Sequence, residues 1–219
     1  MNKPHYKNII FDLDGTLTDS QEGIVNSMKA AMNALGRKIP GQNLIRGFIG
    51  IPLQELFLNH FRISAGELEK AVFHFRNYYT EKGIFENKLY PGIEELLIQL
   101  NQGSTLFVAT SKFEKNALRV LRHFNMDGFF TGMAGANSSG THSGKTELVE
   151  KLLNDFHINR DATTVMVGDT TMDLKAAEAC NIDSIGVTYG YGLINELAKC
   201  NPTYLVNSVE ELATILLSD

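Results

Sequence analysis

Four short runs in this chain are almost wholly apolar and of strand length: Ile9-Ile10-Phe11, Thr105-Leu-Phe-Val-Ala-Thr110, Thr164-Val-Met-Val-Gly168 and Ser184-Ile-Gly-Val-Thr188. A strand with one face in water alternates apolar and polar residues, whereas a run that is apolar at both parities is covered on both faces. From residue 87 onward these runs alternate with stretches whose apolar residues recur at helical spacing, such as Leu96, Leu97 and Leu100, then Leu118, Leu121 and Phe124, then Leu148, Leu152, Leu153 and Phe156. Phe129 to Ala136 and Thr203 to Val206 are further strand candidates, and Val209, Leu212 and Ile215 mark a last helix. The alternation predicts an α/β fold, a doubly wound parallel sheet of Rossmann-like type with helices on both sides.

The segment between the first two runs has a different texture. Ser20 is placed to cap a helix carrying Ile24, Met28, Ala31 and Leu35, punctuated by Gly36 and Pro40-Gly41. A short helix with Leu56, Phe57, His60 and Phe61 follows. Ser64 with Glu67 then reads as a capping box ahead of Leu68, Val72, Phe75 and Tyr79, and Gly83 closes that helix. No strand is convincing between residues 18 and 86. This stretch is therefore expected to be an all-helical cap domain inserted into a core made of residues 1–17 and 87–219.

The 219 residues, 43% of them hydrophobic, suffice for a large buried core. A formal net charge of −5 argues against a nucleic-acid partner, since phosphate backbones are held mainly by Lys and Arg. Any anionic substrate must be met locally, by a metal or a few placed cations. Cys180 and Cys200 have no metal-type spacing and are expected as reduced thiols. The start of the chain lacks the apolar core and cleavage site of a signal peptide, and no apolar run reaches membrane-span length. A cytoplasmic protein, monomeric or homodimeric and without a membrane partner, is expected.

The polar residues that end the runs carry the functional signal, because ligands of open parallel sheets bind beyond the carboxyl ends of the strands. The first run leads into Asp12-Leu13-Asp14-Gly15. Period-2 geometry puts Asp12 and Asp14 on the same side of an extended chain, where their charges repel unless a cation lies between them. Hard carboxylate oxygens suit Mg²⁺. The second run ends in Thr110-Ser111-Lys112, the third in Asp169-Thr170-Thr171-Met172-Asp173. Each has an ordinary explanation alone: a turn at Gly15, a capping box of Ser111 with Glu114, a helix cap at Asp169 or Thr170 with Asp173 facing the helix dipole. Their joint occurrence at equivalent strand ends favours a site. Lys145 lies in the first turn of its helix, where the dipole disfavours a cation. An anionic site nearby would turn that liability into a contact.

These residues, in this order, resemble the haloacid dehalogenase (HAD) superfamily hydrolases with a helical cap, in particular the phosphoglycolate phosphatase-like group. Phe11-Asp-Leu-Asp-Gly-Thr-Leu-Thr-Asp-Ser20 is similar to that superfamily's first motif, Val108-Ala-Thr-Ser-Lys112 to its second, Lys145 to its third-motif lysine, and Val167-Gly-Asp-Thr-Thr-Met-Asp173 to its fourth. Ile182 to Gly192 also looks like this group, while Gly50-Ile51-Pro52-Leu53 departs from the more usual Gly-Pro-Pro-Leu of the cap. The resemblance implies that Asp12 is a nucleophile forming an aspartyl-phosphate, and that Asp14 is the general acid and then the base. It implies Mg²⁺ held by the Asp12 carboxylate, the Asp14 main-chain carbonyl and the Asp169 carboxylate, with Asp173 fixing Lys145 or a metal-bound water. Thr110, Ser111 and Lys145 would bind the transferring oxygens. Arg46 and the loop from Phe48 to Leu53 are the candidates for substrate selection by the cap. The expected substrate is a small phosphorylated metabolite, 2-phosphoglycolate first. A 5′-nucleotidase, an inorganic pyrophosphatase or a sugar phosphomutase would use the same core residues, and a non-catalytic phosphometabolite sensor is the rival from another class.

Overall fold

A computed structural model describes residues 5–39, 41, 49, 51, 53–137 and 144–217. Eight strands occur among these: β1 Asn8–Phe11, β2 Thr18–Asp19, β3 Lys88–Leu89, β4 Thr105–Phe113, β5 Phe130–Ala136, β6 Thr164–Gly168, β7 Asp183–Val187 and β8 Tyr204–Val206. The helices are α1 Gln21–Ala34, α2 Leu53–Glu55, α3 Ala65–Tyr78, α4 Ile93–Leu100, α5 Glu114–His123, α6 Lys145–Asp155, α7 Thr171–Ala179, α8 Ile194–Lys199 and α9 Val209–Leu216. Helix α2 continues as a π-turn over Leu56–His60, and α3 as another over Tyr79–Gly83.

Six strands form one parallel sheet in the order β5-β4-β1-β6-β7-β8. The chain builds outward from β1 through β4 to β5 on one side, then returns to lay β6, β7 and β8 on the other. The order therefore reverses at β1, which pairs with both β4 and β6. Such a reversal opens a crevice at the carboxyl ends of the flanking strands. Both parities of β1 are buried: Ile10 packs in a cluster with Phe107, Ala109, Ala134 and Met166, with Leu148, Val149, Leu152 and Leu153 of α6, and with Ala176 and Ala177 of α7 and Cys180 just after it. Ile9 and Phe11, at the other parity, are equally inaccessible. Full burial of such side chains contributes roughly 1.5–3 kcal/mol each, which holds β1 firmly in its place.

The chain divides into two compact units, Met1–Asp19 with Leu89–Asp219, and Ser20–Lys88. The second unit has its own core of Val25, Met28, Ala31 and Met32 from α1, Leu56, Phe57 and Ile63, and Ala71 of α3. Phe57 meets Phe61 and Phe75 at ring-centroid distances of 6.5 and 6.3 Å. At Gly23 a Cβ would collide with the carbonyl of Gly83, so α1 and the π-turn approach at backbone contact.

Local details differ from the sequence expectations. Residues 18–86 do contain a strand, the two-residue β2, which pairs with β3. Ser20 and Ser64 occupy the N-cap positions of α1 and α3, yet neither side chain caps a backbone N–H. Ser64 Oγ instead donates to Glu67 (2.6 Å), whose carboxylate also receives Arg37 (2.7 Å), so the expected box gives way to a side-chain triad. Strand β4 runs on through Ser111 and Lys112 to Phe113, and Ser111 caps nothing. Its expected partner Glu114 accepts the Gly135 N–H of β5 (3.3 Å).

Candidate active site

Strand β1 stops at Phe11. The Asp12 N–H still donates to Val167 of β6 (2.9 Å), which brings its carboxylate, 7% exposed, to the centre of the sheet's carboxyl edge. The chain then turns. The Leu13 carbonyl accepts from the Leu17 and Thr18 amides at 3.0 Å, and Gly15 turns at φ +93°, a value that favours glycine. Because the extended geometry ends before Asp14, period-2 alternation no longer puts Asp12 and Asp14 side by side. Asp14 turns instead to Lys112, with which it forms an ion pair.

Strands β4 and β6 supply the neighbours. Thr110 at the end of the regular part of β4 is buried, whereas the Ser111 side is exposed. The register with β5 then slips, Thr110 opposing Gly135 and Phe113 opposing Ala136, so residues 111 and 112 bulge out. Asp169, following β6, is fully buried. Thr170 caps α7 and forms a capping box with Asp173, whose Oδ2 accepts from the Thr170 N–H (3.0 Å) and hydroxyl (2.7 Å).

Lys145 links these ends. Its ammonium, 3% exposed at the side chain, lies 2.8 Å from Asp12 Oδ1, 2.8 Å from Asp173 Oδ1 and 3.1 Å from the Ala109 carbonyl of β4. Three acceptors match its three donors, so a cation in an unfavourable helical turn is held by the site. Burial alone would pull its pKa down, but the carboxylates of Asp12 and Asp173 more than reverse this and raise it. Lys145 is an ammonium at any physiological pH.

The site holds more negative than positive charge. Four carboxylates, Asp12, Asp14, Asp169 and Asp173, face two ammonium groups, Lys112 and Lys145. Oxygens of Asp12, Asp169 and Asp173 lie within 4.8 Å of one another. Burial, with Asp12 and Asp173 close by, pushes the Asp169 carboxyl up to about 8. Burial also raises Asp12, against the opposing pull of Lys145. Carboxyls that take up protons in this way for want of countercharge are suited to a divalent cation. Asp12, Asp169 and Asp173 are together the buried carboxylates whose oxygens lie close enough to share an ion.

Three features went unassigned in the sequence. Lys112 was visible only as part of the Thr-Ser-Lys motif. Tyr191 donates its N–H to Asp169 Oδ2 (2.7 Å) and its hydroxyl to Asp19 (2.9 Å), and the Thr16 hydroxyl reaches Asp169 Oδ1 (3.3 Å). A Cβ at Gly190 would strike both Asp169 and the Gly15 carbonyl. The alternating glycines of Tyr189-Gly-Tyr-Gly192 are the one signal that could have announced this close approach. Arg46 lies outside the described residues, as do Phe48, Gly50 and Pro52 of the loop beside it.

With this geometry in view, comparison with known proteins is decisive. The haloacid dehalogenase-like hydrolase profile matches residues 9–187. The chain belongs to that family. Among its relatives, a 5′-nucleotidase of Pseudomonas aeruginosa is 37% identical, covering 97% of this chain and 96% of its own. The tyrosine-protein kinase PtkA of Mycobacterium tuberculosis is 36% identical over 95% of this chain and 72% of its own, and a phosphoglycolate phosphatase of Psychrobacter arcticus 26% identical over 95% of each. A solved structure from Clostridium difficile superposes with a TM-score of 0.91 at 40% identity, covering 98% of this chain and all of the other. The HAD-type core, α/β with a parallel sheet, and a hydrolase activity follow. Among the described residues, no helix is long and apolar enough to cross a membrane.

Proposed function

We propose that this protein is a Mg²⁺-dependent phosphatase that hydrolyses a small phosphate monoester through an aspartyl-phosphate on Asp12. The observation that carries the reading is the placement of Asp12: a buried carboxylate at the sheet's reversal point, 2.8 Å from an obligate ammonium. Lys145 keeps one Asp12 oxygen paired and lowers the repulsion an incoming phosphate dianion would meet. Attack by the other oxygen splits hydrolysis into two easier displacements. Asp14 gives its proton to the departing alkoxide in the first and takes one from water in the second. The Thr110 hydroxyl, the Ser111 amide and Lys145 hold the transferring oxygens. Asp173, fixed by Thr170, orients Lys145 rather than reacting.

The ion would be held by the carboxylates of Asp12 and Asp169 and the main-chain carbonyl of Asp14. When bound, Mg²⁺ supplies charge neutralisation and alignment for the phosphoryl group.

For the substrate, the sequence motifs put 2-phosphoglycolate first. The greater identity to a 5′-nucleotidase, 37% against 26%, moves nucleoside 5′-monophosphates ahead of it. The kinase name of a third relative keeps transfer to another acceptor as a second reading, alongside mutase and pyrophosphatase chemistry. A panel of nucleoside monophosphates, 2-phosphoglycolate, pyrophosphate, sugar phosphates and an aryl phosphate, each with and without Mg²⁺, tests this. Turnover of monoesters that stops on chelation is expected. Asp12→Asn should lower it by at least about 10³-fold with melting behaviour retained; substantial residual turnover would remove Asp12 as nucleophile.

A further inference from the structure

Residues 15–19 and the loop after β7 are tied together through Asp169. The Tyr191 N–H donates to Asp169 Oδ2 (2.7 Å), and the hydroxyl of the same tyrosine donates to Asp19 Oδ1 (2.9 Å). From the other side the Thr16 hydroxyl donates to Asp169 Oδ1 (3.3 Å). The chain from Thr16 to Asp19 closes a circuit that runs from Asp169 through Tyr191, Asp19 and Thr16 back to Asp169. The Tyr189 hydroxyl braces it by donating to the Thr16 carbonyl (3.1 Å), and the Tyr90 N–H by donating to the Leu17 carbonyl (3.2 Å). The rings of Tyr90 and Tyr189 lie 4.7 Å apart. Two points on the circuit stand out. Asp169 belongs to the buried carboxylate cluster with Asp12 and Asp173. Asp19 is the last residue of the first unit before the chain enters Ser20–Lys88.

We infer that Tyr191 is a positioning residue that couples ion binding at Asp169 to the order of residues 15–19. A tyrosine side chain turns about only two χ angles, so anchoring its hydroxyl also restrains its backbone amide. The Asp19 carboxylate is the anchor, and the restrained amide aims the Asp169 carboxylate. Outer partners that orient a metal-binding group in this way are worth roughly 10- to 100-fold in metal affinity. The main-chain carbonyl of Asp14, another donor proposed for the ion, immediately precedes residues 15–19, so the same circuit restrains both. Coupling between binding and order is reciprocal: if the bond to Asp19 favours the ion, the ion favours order at Asp19. Tyr191 acts through Asp169, with no proton moved and no covalent bond made. This inference rests on the Mg²⁺ site of the phosphatase reading above.

Calorimetric titration of the whole chain with Mg²⁺, in the absence of substrate, tests it. Tyr191→Phe removes the hydroxyl and leaves the ring and the amide; the Mg²⁺ dissociation constant is expected to rise about 10-fold or more. Asp19→Ala removes the other partner of the same bond and should do likewise. The double variant should bind no more weakly than either single one, because both lack one shared interaction. Asp19→Asn keeps an acceptor oxygen for the hydroxyl and should recover most of the affinity. Hydrogen exchange gives a second readout. The amides of Leu17 and Thr18, which donate to the Leu13 carbonyl, should exchange more slowly in saturating Mg²⁺ in the wild type, and Tyr191→Phe should lose that slowing. A tyrosine that only stabilises the fold would give a variant with a lower melting temperature, wild-type Mg²⁺ affinity and the same Mg²⁺-dependent slowing. That result, or additive losses in the double variant, would overturn the inference while leaving the phosphatase reading intact. If Tyr191→Phe does not fold, Asp19→Ala against Asp19→Asn carries the same test, and equal Mg²⁺ affinity in those two would overturn the inference. A wild type that binds no Mg²⁺ would overturn both the inference and the metal site of the phosphatase reading.

Discussion

Asp169 makes the proposed metal site testable without any assay of turnover. Unfolded, its carboxyl titrates near about 4; folded without metal, burial and the Asp12 and Asp173 charges push it up to about 8. Between those values the native state holds a proton that the unfolded state has released. Stability from this group is therefore complete below about pH 4, declines as pH rises towards 8, and is level beyond. The metal-free protein is expected to lose melting temperature across that window relative to Asp169→Asn, whose amide does not titrate. Addition of Mg²⁺ at pH 8 should restore the wild type and not the variant, because only the carboxylate gains from the ion. Melting curves at several pH values, with and without Mg²⁺, measure this; curves that run parallel for the two proteins would count against it.

At the scale of elements, the ends of β1, β4 and β6 are where the candidate site residues gather, and they were legible to different degrees. Strands β1 and β6 stand out because they are apolar at both parities and end in acids. The extension of β4 does not. Ser111 and Glu114 have helix-cap spacing, and what decides their fate is pairing of Phe113 with Ala136 and of Glu114 with Gly135, partners distant in sequence. The same limit hid the pairing of Asp14 with Lys112 and of Tyr191 with Asp169. Local pattern reports which face is apolar; it does not report which distant group will complete a carboxylate's hydrogen bonds. The loop after β7 offers a direct check. Gly190→Ala places a methyl against Asp169 and the Gly15 carbonyl, and should cost about 1–3 kcal/mol as an overpacking change. Its signature should be weaker Mg²⁺ binding by calorimetry together with a lower melting temperature. Gly66→Ala, at an exposed position of α3 where an added methyl meets nothing within 4 Å, should leave Mg²⁺ binding unchanged and should not lower the melting temperature, since Ala favours a helix over Gly.

On the scale of the whole molecule, the fold class was plain from the alternation of apolar runs with helical stretches. The helical stripes read between residues 18 and 86 began with Ile24, Met28, Ala31 and Leu35; in the structure Met28 and Ala31 are buried core residues, while Ile24 and Leu35 pack against that core at its margin. The substrate was not legible: relatives that match nearly the whole of this chain carry the names 5′-nucleotidase, tyrosine-protein kinase and phosphoglycolate phosphatase. The two units have separate cores, so damage to one should be read locally. Phe57→Ala should cost about 3–5 kcal/mol. It should speed hydrogen exchange in residues 20–88 more than in β1 and β6; equal acceleration in all of them would show the two units to unfold as one.

The sheet order also bears on how the chain is made. Asn8 finds its pairing partners at Thr105 on one side and Thr164 on the other. During synthesis, which proceeds from the N-terminus, β1 is the first strand to leave the ribosome, yet it is flanked on both sides only once β6 has followed. The segment Ser20–Lys88 can meanwhile complete its own core from contacts within itself. The strand that leads into Asp12, the proposed nucleophile, thus waits for most of the polypeptide to exist. The surroundings of Asp12 are complete only after β6 and Asp169 have emerged, and a ribosome-bound chain truncated before residue 164 should hold a folded helical unit without the Asp12, Asp169 and Asp173 cluster.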